Sequence, residues 1–84
     1  MPLADRIRRH VIEQYIRPAR SEGRTQVTVR AGEVHKELGL EAKMPIVCTS
    51  LDAERFWDDA SVTLIARRGP LQGATAEWVW AVLR

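Results

Sequence analysis

The chain has 84 residues, 13 of them Lys or Arg and 11 Asp or Glu, for a formal net charge of +2. That length holds one hydrophobic core and no second, so residues 1–84 read as a single domain. A lone Cys excludes an internal disulfide, and no apolar run approaches the roughly 20 residues needed to cross a bilayer.

Residues 1–6 carry neither the apolar stretch nor the cleavage motif of a signal peptide, so a cytoplasmic setting without membrane contact is expected. From Leu3 to Ala19, the residues Leu3, Ile7, Val11, Ile12, Tyr15 and Ile16 recur at helical spacing and predict a helix with one apolar stripe. Pro18 and the polar stretch Arg20–Arg24 end it. The alternating, β-rich segment Thr25–Arg30 predicts a short strand that needs partners, and a C-terminal hairpin is the candidate.

Ala31 to Leu38 predicts a short helix with Val34 and Leu38 inward, stopped by Gly39 in a left-handed conformation with Leu40 packing back. Met44 to Leu51 predicts a third helix, with Pro45 tolerated in its first turn and Val47 and Leu51 as the inward pair. Residues 52–59 either extend that helix or restart it, with Asp52 as a cap and Phe56 in the core. Arg55, three residues from both Asp52 and Asp58, is expected to pair within the helix.

The last third predicts a hairpin of Ser61–Arg68 and Ala74–Leu83 around a Gly- and Pro-containing loop. Strict period-two patterning groups Val62, Leu64 and Ala66 on one face and Thr63, Ile65 and Arg67 on the other. Both faces are partly apolar, so the pattern does not say which one covers the helices.

In order, Val27–Val29, then Ala31–Leu40, then Met44–Leu51, then a hairpin with Arg67-Arg68 at its shoulder resembles the winged helix-turn-helix family. The resemblance implies an α+β fold: three helices packed on a small antiparallel sheet, with a C-terminal hairpin wing. It also implies a module that binds double-stranded DNA, as a regulator or as the DNA-reading part of a larger system. Residues 44–51 would be the recognition helix and 67–75 the basic wing. On that helix the contact candidates are Lys43, Pro45, Ile46, Thr49 and Ser50, where Lys43 suits a phosphate or guanine and Ile46 a thymine methyl. On the wing they are Arg67, Arg68 and Gln72, with Arg30 extending the basic surface. A homodimer or a larger partner protein fits the same architecture.

Two alternatives remain open at the level of sequence. One is a methylated-base reader of a restriction or defence system, with Trp57 as a possible base-stacking residue. The other is a winged-helix docking module for a protein, favoured by a net charge of only +2.

Nothing in the sequence points to an enzyme, a metal or a cofactor. His10 and His35 belong to no ligand pair, Cys48 has no cysteine partner, and Asp58-Asp59 lacks the alternating oxygens of a calcium loop. The segment Gly69–Gly73 lacks the Lys and Ser/Thr of a phosphate-binding loop. Cys48 reads as a small core residue, and Trp78 and Trp80 as sheet packing with Trp57 the least buried of the three Trp.

Overall fold

The first helix has a uniform backbone but not a uniform hydrogen-bond pattern. A computed structural model describes residues 2–83 and divides it into α1 (Leu3–Val11), a π-helical turn (Ile12–Ile16) and α2 (Arg17–Ser21). All the junction residues keep right-handed helical angles, so the chain does not break. Pro18 lies just after the π turn. Its missing N–H and its ring would disturb a regular α-helix at the preceding turn, and the wider π turn falls there. The helix therefore passes through Pro18, two residues further than the sequence suggested.

Strand β1 (Gln26–Arg30) leads directly into α3 (Ala31–Glu37). Among the described residues no side chain caps α3. Its first N–H groups are taken by the hairpin loop instead, with Ala31 N donating to Ala76 O at 2.9 Å and Gly32 N to Ala74 O at 3.0 Å. At its other end Gly39 adopts φ +64°, and Gly39 N and Leu40 N donate to the Lys36 and His35 carbonyls. That is the Schellman stop the sequence predicted, and Leu40 packs back against the core.

Helix α4 (Met44–Leu51) follows the turn, and the expectation of three helices needs correction at its end. Asp52 closes α4, and Ala53 then turns extended (φ −80°, ψ 116°) before a separate helix, α5 (Glu54–Asp59). Asp52 does not cap α5, because its carboxylate is engaged elsewhere.

Strands β2 (Val62–Arg68) and β3 (Glu77–Val82) form the hairpin, and β1 adds to β3, giving an antiparallel sheet of order β1-β3-β2. Val27 and Val29, Val62 and Leu64, and Trp78, Trp80 and Val82 face the helices. Ile7, Val11, Ile16, Val34, Val47, Leu51 and Phe56 meet them in one continuous core. Trp78 and Trp80 are fully buried, stacked on each other at 6.2 Å, with Phe56 edge-on to Trp80 at 5.9 Å. Each such side chain contributes about 1.5–3 kcal/mol by leaving water, which makes this aromatic seam the main cohesive element between sheet and helices.

Candidate nucleic-acid interface

A β-bulge decides what the hairpin presents. The register of β2 against β3 shifts between Leu64 and Ala66, so Ile65 is an extra residue. Beyond it, Ala66 lies opposite Val79 and Arg67 opposite Trp78. Arg67 therefore sits on the inner face and Ala66 on the outer one, the reverse of the strict alternation read from sequence.

The inward Arg67 is tied into a network. Its Nε donates to Asp52 Oδ1 at 2.8 Å and its NH2 to Asp52 Oδ2 at 3.2 Å, a bidentate pair. NH1 donates to Arg68 O at 2.8 Å and NH2 to Leu71 O at 3.0 Å. The guanidinium also lies 4.7 Å from the Trp78 ring centroid, and Trp78 Nε1 donates to Asp52 Oδ1 at 2.7 Å. The hydrogen bond to Asp52 pushes the Arg67 pKa above its ordinary value, with partial burial opposing. Four of the five guanidinium donors are thus committed inside the protein.

Arg68 points to the opposite side of the sheet. There Glu77, on the central strand, accepts from Arg30 Nε at 2.9 Å and from Arg68 NH1 at 3.3 Å, so the three side chains form a ladder across all three strands. The Arg30 hydrogen bond holds the Glu77 carboxyl below its usual range, with Arg68 adding to the effect. Both arginines remain mostly exposed, and the triad carries one net positive charge. Arg67 and Arg68 therefore do not share one basic face.

On α4 the exposed residues are Pro45, Ile46 and Thr49, and Lys43 is exposed at its N-terminal flank. The backbone N–H of Lys43 donates to His35 Nε2 at 3.2 Å, which ties the turn to α3. Ser50 is 2% exposed and faces the core, so its expected place on the outer face is corrected; its carbonyl accepts from Arg8 Nε at 3.2 Å. Thr49 on α4 and Gln72 in the hairpin loop line a common groove of roughly 410 Å3, with Leu71, Asp52 and Ala53. The structure therefore brings together Thr49 and Gln72, and separately Arg30 and Arg68.

Trp57 is half-buried, and its Nε1 donates to Leu51 O at 2.7 Å, so the ring is anchored over the end of α4. It is the least buried Trp, as expected. Cys48 is fully buried, with Sγ 3.8 Å from Gly73 O. Among the described residues Arg55 pairs with neither expected partner: Asp52 is held by Arg67, and no ion pair joins Arg55 to Asp58.

One polar cluster escaped the sequence reading. His10 Nε2 lies 2.6 Å from Glu37 Oε1, and the Tyr15 hydroxyl donates to both Glu37 oxygens at 2.9 and 2.8 Å. Burial, reinforced by Glu37, pushes the Tyr15 phenol far above its ordinary pKa, so it stays a donor. Residues five apart diverge on an α-helix. The helix widens into the π turn just after His10, the His10 and Tyr15 ring centroids lie 6.2 Å apart, and that turn is not legible from apolar spacing.

Among the described residues no group of His, Cys, Asp and Glu side chains could hold a metal ion, and no helix is long and apolar enough to cross a membrane. Comparisons with protein-family profiles, with curated protein sequences and with solved structures found no match to this chain.

Proposed function

We propose that this chain is a winged helix-turn-helix module that binds double-stranded DNA, with α4 offered to the major groove and residues 69–76 reaching the adjacent backbone or minor groove. The carrying observation is the topology: α3, the Gly39 turn and α4 lie between β1 and β2 of a β1-β3-β2 sheet, and the hairpin loop lies beside the exposed Thr49 of α4. In this reading Lys43, Arg30 and Arg68 supply the phosphate contacts, and Ile46, Thr49 and Gln72 meet base edges. Arg67 and Ser50 leave the contact set, and Trp57 has an anchoring role. The module acts alone as a regulator or as the DNA-reading part of a larger assembly.

Fluorescence anisotropy against a random duplex and a panel of methylated duplexes, at about 50 and about 200 mM salt, tests this. Binding should weaken steeply with salt, and Lys43→Ala and Arg68→Ala should each reduce the salt slope by about 0.9. Absence of binding at the lower salt would overturn the proposal. A preference within the methylated panel would assign modified-base reading to α4, where Ile46 presents an apolar surface 38% exposed.

A protein-docking role is the second reading, favoured by the exposed face of α4. That face carries Pro45, Ile46 and Thr49 and no cation of its own.

A further inference from the structure

A single exposed leucine is ordinary on a protein surface, but Leu71 is held there. It is 77% exposed on the loop between β2 and β3, and the loop around it has little slack. The Arg67 guanidinium grips the Arg68 and Leu71 carbonyls, Ala76 N donates to Gly73 O at 3.1 Å, and Ala74 and Ala76 carbonyls receive the first N–H groups of α3. The loop is also packed on itself. A Cβ at Gly69 would meet Thr75 O at 2.5 Å, and one at Gly73 would meet Pro70 Cγ at 2.6 Å. A loop bound at both ends and across its middle has already lost the freedom that binding would otherwise remove.

The surroundings of this tip match a duplex. Leu71 shares its groove with Thr49 of α4 and with Asp52, whose carboxylate is neutralised by Arg67, while the positively charged Arg30–Glu77–Arg68 ladder lies on the other side of the loop, beside Ala74 and Thr75. An apolar side chain on a stiff support, with cations on the same loop's far flank, is an arrangement that can unstack a base step from the minor groove while phosphates are neutralised across the loop. We infer that Leu71 is an apolar wedge that enters a base step of bound duplex DNA, and that Arg67 is the positioning residue that holds it there. The favoured steps are pyrimidine–purine steps such as TA, which unstack at least cost. The inference rests on the duplex-binding reading above and adds the device by which the loop acts.

The test uses duplexes with TA steps in which one adenine is replaced by 2-aminopurine, whose fluorescence rises on unstacking. Binding of the wild-type protein should raise that signal, and an A-tract duplex should bind more weakly. Leu71→Ala should lose about tenfold in affinity and abolish the rise, with the circular dichroism spectrum unchanged. Arg67→Lys should weaken the rise while leaving the salt slope at the wild-type value, whereas a phosphate-contacting arginine would lose about 0.9 of slope. Wild-type binding without a fluorescence rise, or a Leu71→Ala protein that behaves as wild type, would overturn the wedge and leave duplex binding standing. No anisotropy change with any duplex at about 50 mM salt would overturn duplex binding itself, and the wedge with it.

Discussion

Trp78 and Trp80 are equally buried, stacked neighbours on one strand, yet their indole N–H groups have opposite circumstances. Trp78 Nε1 donates to Asp52 at 2.7 Å, while Trp80 Nε1 is buried and has no hydrogen-bond partner among the described residues. Replacing either ring by Phe removes similar apolar volume, but only Trp78→Phe breaks a hydrogen bond to an ionised acceptor. Trp80→Phe removes an unsatisfied donor and so recovers part of its cavity cost. Trp78→Phe should therefore be more destabilising by about 1–3 kcal/mol in urea titrations, and equal losses would show that the Asp52 bond contributes little. Glu77 makes a second prediction at this scale. Its carboxyl is held below its ordinary range mainly by the Arg30 hydrogen bond, so its stabilising effect is present above the unfolded-state value of about 4.3. That effect is lost as pH falls through the lowered folded-state value. The melting-temperature gap between wild type and Glu77→Gln should be larger at pH 7 than at about pH 3, and a gap constant with pH would remove the ladder from the account.

Two elements carry a local change of period, and both lie where the sequence reading went astray. The helix, the short strand, the Gly39 stop, the inward pair Val47 and Leu51 and the hairpin were all legible, because each follows a regular period or a punctuating residue. The bulge at Ile65 breaks the period of two, and the π turn breaks the period of 3.6, so the inward Arg67 and the His10–Glu37–Tyr15 cluster were not. Composition offers no warning of either, since a β-branched Ile65 sits as well in a regular strand as in a bulge. The register itself supplies a test. Removing Ile65 leaves Leu64 opposite Trp80 and Arg67 opposite Trp78, so the inner face is preserved. Removing Thr63 instead would move Val62, 3% exposed, to the outer face. Deleting Ile65 should cost no more than about 1–2 kcal/mol, and deleting Thr63 distinctly more, by urea denaturation midpoint. Equal losses would mean that the bulge is not a one-residue insertion.

At the scale of the whole molecule, cohesion and the proposed binding surface are built from different arginines. Arg20 on α2 donates from NH2 to Ala60 O at 2.9 Å and from Nε to Leu83 O at 3.0 Å, so the first helix clasps both the end of α5 and the end of β3. Arg8 does the same for α4 through Ser50 O, and Arg67 for the hairpin loop. Because one continuous core joins every helix and strand, loosening a clasp should lower the stability of the whole without freeing a part. Arg20→Ala removes charged donors from three carbonyls, those of Ala60, Ser61 and Leu83, and should cost about 2 kcal/mol, or roughly 10 °C in melting temperature for a chain of this size. Tryptophan fluorescence and far-ultraviolet circular dichroism should still report one coincident transition. Arg20 lies on neither α4 nor the hairpin loop, so affinity for duplex DNA and its salt slope should match wild type wherever the variant is folded. Separate transitions for the two probes would show that the first helix unfolds independently of the sheet. An altered salt slope would instead extend the proposed nucleic-acid surface to α2.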